Sequence, residues 1–189
     1  MIKLYDEMKE ESERLFPERK FIGGEGNLKT RLVLIGEAPG GEEEKQGRPF
    51  VGKAGRNLSE FLEILGLQRE DIYITNVVKL RPVKINPKTG RVSNRPPNKG
   101  EVDFFTHYLH RELEILKPEY VVTLGNFALK AVTGDKKAVI GEVHGESLNL
   151  EKFILFPLYH PASIIYNRSL KSTYINDIEE LKKIIHKKG

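Results

Sequence analysis

The sequence predicts an α/β fold: a three-layer sandwich with a central four-stranded parallel sheet flanked by helices, spanning 1–189 as a single domain. Two observations predict it. Four short apolar runs, RLVLIG (31–36), DIYITNVV (71–78), YVVTLG (120–125) and FILFPLY (153–159), read as buried strands. The stretches between them carry apolar residues at helical spacing. Such strand–helix alternation forces right-handed crossovers, hence a parallel sheet with helices on both faces. A chain of 189 residues, 39% hydrophobic and 31% charged, is long enough to bury a real core.

Each element follows in order. Leu4, Tyr5, Met8 and Leu15 place an amphipathic helix over 2–15. RLVLIG ends in glycine and is the first strand. Ala54, Leu58, Phe61, Leu62 and Leu65 form a helix face stopped by Gly66. DIYITNVV is the second strand. Phe104, Phe105, Tyr108, Leu109, Leu113 and Leu116 mark a helix that must end before Pro118. YVVTLG leads into a short helix from Asn126 to Val132, and FILFPLY is the fourth strand. Leu170, Tyr174, Ile178, Leu181 and Ile185 give a last helix ending in a basic tail. Parallel sheets bind ligands at the carboxyl ends of their strands. There stand the glycine-rich turn after Gly36, then Asn76, Gly125 and His160.

Composition removes several function classes. The chain has no cysteine, which excludes disulfides, thiolate nucleophiles and cysteine-ligated metal centres. No apolar run approaches the ~20 residues of a membrane span. The opening MIKLYDEMKEESERLF lacks a secretory-signal pattern, so a cytoplasmic location is expected. Net charge is +4, a mild bias compatible with a polyanionic partner. The basic charge is concentrated. Between Lys79 and Gly100 lie Lys79, Arg81, Lys84, Lys88, Arg91, Arg95 and Lys99 with no acid, interrupted by Pro82, Pro87, Pro96 and Pro97. A connection this long is either functional or disordered, and its charge favours contact with a phosphate backbone.

Three features carry chemistry. The first is GEAPGGEEEKQGRPFVGKAG (36–55), a poor phosphate cradle because it matches neither glycine-rich nucleotide motif. It is either a tight loop with exposed acids or a mount for Phe50, an aromatic with no helix or strand periodicity to explain it. Such a ring suits stacking on a planar group. The second is Asn76, whose amide can match the O4/N3–H edge of a pyrimidine or simply form a turn. The third is HPASII (160–165). Its histidine is either structural or a group that steadies a developing anion or shuttles a proton near neutral pH.

Taken together, GEAPG and GRPFVGKAG, then ITNVVKLRP, then NRPP, then the strand-terminal HPA resemble the uracil-DNA glycosylase superfamily, specifically its family 4, in order and separation. The resemblance runs from about Gly24 to the last helix. It implies base-excision repair: uracil is flipped from DNA and its N-glycosidic bond hydrolysed, leaving an abasic site. By that analogy His160, Asn94 and Glu37 are the catalytic candidates. His160 would donate to O2, Asn94 would lie near the scissile bond or flanking phosphates, and Glu37 would help place the water. Ala38, Glu43, Phe50 and Asn76 would hold the base, with Phe50 stacked on it. Lys84, Lys88, Arg91, Arg95, Ser163, Ile164 and Arg168 would contact DNA, and Ile164, Ile165 and Tyr166 could wedge into the vacated stack. The expected partner is uracil-containing DNA, single- or double-stranded, bound by a monomer with no membrane role, cofactor or metal. Alternative readings are a glycosylase for another deaminated base such as hypoxanthine or xanthine, a catalytically silent DNA-binding module, or an enzyme of small nucleotides.

Two departures from the family stand out. Family 4 members typically carry four cysteines holding a four-iron four-sulfur cluster. Here Leu80 and Phe105 fall at two of those positions, and the opening helix lacks the other pair. Apolar packing by Leu80, Phe104, Phe105 and Leu15 is the expected replacement. The second departure is a lengthened insert, 83–93, which adds Lys84, Lys88 and Arg91. Ala38 also stands where some other families of the superfamily place a water-positioning aspartate.

Overall fold

The structure, a computed structural model, describes residues 1–187, apart from the side chains of Ala54 and Ile165. The end of the basic tail, Lys188, lies outside the described residues. The four expected strands are present as β2 (Leu32–Gly36), β3 (Tyr73–Asn76), β6 (Tyr120–Leu124) and β8 (Ile154–Leu158). They pair in parallel in the order β3-β2-β6-β8. Two antiparallel two-residue strands complete a six-stranded sheet: β1 (Glu25–Gly26) against β3 and β7 (Leu148–Asn149) against β8. Elements of two residues carry no periodicity, which is why the sequence predicts four strands.

Strand alternation divides the core. Val33, Ile35, Val121 and Leu155 face one layer, formed with Met8, Phe105, Leu109, Leu113 and Ala128. Those residues come from α1 (Ile2–Leu15), α4 (Lys99–Leu116) and α5 (Gly125–Thr133). Leu32, Leu34, Val122 and Phe156 face the other layer, with Leu58, Phe61, Leu65, Ile178 and Leu181 from α3 (Lys53–Leu65) and α8 (Leu170–His186). Both faces of the central strands are dry, so their runs are apolar throughout rather than alternating. Helix ends follow local chemistry. Asn98 and Glu101 form a reciprocal capping box at the start of α4, and Gly66 closes α3 with a left-handed φ of 72°. Three short helices were not legible as periodic faces: α2 (Gly41–Gln46), α6 (Ile140–Val143) and α7 (Pro161–Tyr166). Among the described residues no helix is long and apolar enough to cross a membrane.

One open alternative is narrowed and one expectation changes. The insert is an ordered hairpin, β4 (Val83–Ile85) against β5 (Val92–Asn94). Its turn is closed by Asn86, whose Oδ1 accepts from the Lys88 and Thr89 amides at 2.9 and 3.2 Å, and by Gly90 at φ 67°. The apolar packing expected to replace a cluster uses Phe16 rather than Leu15, which is 60% exposed. Phe16 stacks on Phe105 at 6.1 Å and meets Phe104 edge-on at 5.7 Å, while Phe104 and Phe105 make a T-shaped pair at 4.8 Å. Leu80 is fully buried in the same core layer. These side chains offer carbon and no ligating atom, so they do not fit an iron–sulfur cluster. The aromatic cluster joins the end of α1 to α4 by burial instead.

Candidate functional site

At the carboxyl ends of the parallel strands opens a cavity of about 460 Å³, lined among others by Ala38, Glu43, Phe50, Asn76, Asn94 and His160. Six of the seven residues expected to act on a base therefore share one wall-to-wall space. Glu37 does not line it. Glu37 lines an adjoining cavity of about 400 Å³, which it shares with His160 and Ser163.

The phenyl ring is mounted under constraint. Phe50 adopts a left-handed φ of 52°, a conformation costing ~1–2 kcal/mol for a residue with a Cβ. The chain on either side is clamped by Arg69, which donates to the carbonyls of Phe50 (3.1 Å) and Pro49 and is itself held by Glu25 at 2.8 Å. Glycine at 36 lets ring and carboxamide approach each other. A Cβ there would lie 2.5 Å from Phe50 Cζ and would collide with Asn76 Oδ1. Glu43 braces the same loop. Its carboxylate accepts from the amides of Gly52 (2.8 Å), Val51 (3.1 Å) and Gly40 (3.2 Å), so it is committed to the backbone while lining the cavity.

His160 caps α7, and its Nδ1 accepts the Ala162 amide at 3.1 Å. An imidazole nitrogen that accepts a backbone N–H carries no proton, so the neutral ring must bear its proton on Nε2. Burial lowers the His160 pKa below the usual imidazole value, which reinforces the neutral form. The ring is thus a fixed donor. Burial also raises the Glu37 carboxyl above the usual range. Asn94 ends β5, and its Oδ1 accepts from Arg81 Nε at 2.8 Å. That leaves its amide nitrogen, near Gly40, as the end free to donate.

Behind the Asn76 strand end lies a buried network that the sequence did not disclose. Lys79 is fully buried and donates to Thr75 Oγ1 (2.6 Å), the Asn76 carbonyl (2.5 Å) and Glu112 Oε2 (2.7 Å). Glu112, equally buried, also accepts from Tyr5 and from Tyr73 (3.2 Å). Desolvation lowers the Lys79 pKa while Glu112 acts to raise it. Sequence reasoning missed Arg69 and the cavity-lining Lys53, and it counted Lys79 among the phosphate-facing bases. For Lys79 the only signal was a base at the end of an apolar strand.

The expected DNA contacts separate into groups. Three bases of the 79–100 run are committed inward, Lys79 to Glu112, Arg81 to Glu44 and Arg95 to Glu101, while Lys99 pairs with Asp103 on the exposed surface of α4. Arg95, expected to contact DNA, is paired within the protein. Both of its terminal nitrogens lie 2.7 Å from the Glu101 carboxylate and its Nε 3.0 Å from the Val83 carbonyl, so it staples the hairpin base to α4. Lys84, Lys88 and Arg91 are exposed on the hairpin and have no ion pair among the described residues. Ile164 and Arg168 line a third cavity beside α7 with Tyr174, and Tyr166 is 89% exposed. The side chain of Ile165 lies outside the described residues.

A family model described as "Uracil DNA glycosylase superfamily" matches residues 24–182. The chain is similar to a type-4 uracil-DNA glycosylase of Thermotoga maritima, 43% identical over 171 residues, covering 89% of this chain and 84% of that protein. It is also similar to one of Archaeoglobus fulgidus, 38% identical over 175 residues, covering 89% and 83%. A type-5 uracil-DNA glycosylase of Pyrobaculum aerophilum is 32% identical over 158 residues, covering 75% and 66%.

Proposed function

The chain belongs to the uracil-DNA glycosylase superfamily, and from that premise we propose that it excises uracil from DNA by hydrolysing the N-glycosidic bond. The observation that carries this reading is the convergence of Phe50, Asn76 and His160 on one cavity. The extruded base stacks on Phe50. The Asn76 carboxamide donates to O4 and accepts from N3–H, a pattern that cytosine presents in reverse. As the C1′–N1 bond lengthens, its electron pair moves onto the base, and charge collects at O2. The fixed Nε2–H of neutral His160 meets that charge without reorganising. The sugar, left oxocarbenium-like, takes a hydroxyl from water. Glu37, in the adjoining cavity, accepts the water's proton, and its ionised form is the working one. Lys84, Lys88, Arg91 and Arg168 contact phosphates, and α7 with Ser163, Ile164 and Tyr166 supports the vacated stack. These contacts offset the few kcal/mol that flipping costs.

The test is a labelled duplex and single strand, each with one uracil, incubated with purified protein and no added metal, then treated with alkali. Cleavage at the uracil position is expected. His160→Ala is expected to lower the single-turnover rate about 10²–10³-fold, the loss typical of one preorganised donor. An intact wild-type digest after prolonged incubation overturns the reading, and retained affinity in that case identifies a silent DNA-binding module.

A further inference from the structure

We propose that the 83–94 hairpin is a second DNA-contacting element. Its apolar pair Ile85 and Val92 packs against the nucleotides flanking the extruded base, while Lys84, on the opposite face, and Lys88 and Arg91, at the turn, hold phosphates along its edges. The proposal rests on the uracil-DNA reading above and extends it to a surface outside the base cavity.

The argument starts from strand register. Val83 pairs with Asn94, Lys84 with Ser93 and Ile85 with Val92. Side chains two apart on a strand share a face, as do directly paired residues. Ile85 and Val92 therefore lie on the same face of the hairpin as Asn94, which lines the base cavity. Two strand residues cover about 6.6 Å, close to two base steps at about 3.4 Å each along one strand. The apolar pair is thus placed where the next nucleotides would lie if a base occupied the cavity.

Two further observations name the occupant. Ile85 is 64% exposed and Val92 48% exposed, an adjacent β-branched pair left in water on a hairpin too small to have its own core. The same twelve-residue element carries three bases without ion pairs among the described residues, whereas the bases at its root are neutralised by Glu44 and Glu101. The apolar pair occupies one face, Lys84 lies with Ser93 on the other, and Lys88 and Arg91 stand at the turn. An apolar contact with free cations along the element's edges suits nucleic acid, which presents sugar and base faces between phosphates. The hairpin is anchored to aim it: Arg95 bonds the Val83 carbonyl and the Glu101 carboxylate, and Arg81 bonds Asn94.

The experiment compares Ile85→Thr/Val92→Thr with wild type by fluorescence anisotropy on a uracil-containing duplex across a salt series. Threonine keeps the β-branched stem, so the hairpin should persist, which circular dichroism and melting check. Binding is expected to weaken about tenfold, within the range for loss of one base-stacking contact, with the slope of log K against log salt unchanged. Leu28→Ser, which removes a comparably exposed apolar side chain (51%) near the opposite strand ends, should leave binding as it was. Undiminished affinity in the Thr variant overturns the proposal. So does a loss accompanied by a flattened salt slope, because the pair would then act only by holding the cations. Anisotropy needs no turnover, so a wild type that binds but fails to cleave sinks the catalytic reading while still testing the hairpin.

Discussion

Lys79 and Lys84 stand five residues apart in one acid-free run, and the fold uses them in opposite ways. Lys79 is wholly buried, bonded to Thr75, the Asn76 carbonyl and Glu112. Lys84 is exposed, with no ion pair among the described residues. The first charge is spent inside, holding the strand end that presents Asn76. The second has no internal use. Identical charges in sequence are thus sorted by the fold into those that shape the site and those left for a partner. Counting bases along the chain overstates the surface that meets DNA.

The largest effect expected from this contrast comes from cutting the inner charge. Lys79→Met leaves Glu112 as an uncompensated buried carboxylate and should destabilise the protein by ~3–5 kcal/mol, read by denaturant unfolding. Lys79→Met combined with Glu112→Leu removes both charges and should recover most of that stability, because buried pairs are often replaceable by apolar volume. Excision should not recover with it. The Asn76 carbonyl loses its 2.5 Å donor in both variants, so uracil turnover and rejection of cytosine should stay impaired in a well-folded double variant. Full activity there would mean that Lys79 serves stability alone.

This sorting also explains how far sequence reading reached. The four central strands were legible because both their faces are dry, which leaves runs such as LVLIG with every residue buried. The cavity residues were legible because Phe50, Asn76 and His160 fall at strand ends or in a glycine-rich turn, where a parallel sheet gathers its ligands. What stayed hidden depends on partners distant in the chain. Glu112 lies 33 positions from Lys79, and nothing local to either announces the pair. The Arg95 pair was hidden because Glu101 sits beyond two prolines, in a helix whose capping box also uses that carboxylate. Glu37 belongs to the right motif, yet the chain turns after Gly36 and sends its carboxyl to the neighbouring cavity.

The outer charges sharpen the comparison with a smaller effect. Replacing Lys84, Lys88 and Arg91 with Gln should reduce the salt slope of duplex binding by about 2.7, that is about 0.9 for each of three phosphate contacts. Thermal stability should stay within about 0.5 kcal/mol of wild type, as for surface changes generally. Arg95→Gln makes the counterpart. It breaks a carboxylate pair and should lower stability with little change of slope. Equal slope changes in the two variants would erase the distinction between inward and outward bases.

The smallest effect concerns the donor itself. Free imidazole titrates near 6.5, whereas burial holds His160 below that value and its Nδ1 is occupied by the Ala162 amide. Folding therefore opposes proton uptake. Above about pH 6.5 neither folded nor unfolded chain protonates this ring, and it contributes nothing to the pH dependence of stability. As pH falls through that range the unfolded chain takes a proton that the folded one refuses, so stability declines until the lowered folded value is reached. Excision should follow the folded ring, with the single-turnover rate changing by less than about twofold between pH 8 and 6.5 and falling only at lower pH, where the Ala162 contact must break. Glu37, raised by burial, is protonated over part of the same low range, and Glu37→Gln separates the two. The variant is slower throughout, but any fall it retains at low pH belongs to His160. An inflection at the ordinary imidazole value in wild type would mean that the ring titrates freely, and the picture of a pre-set Nε2 donor would fail.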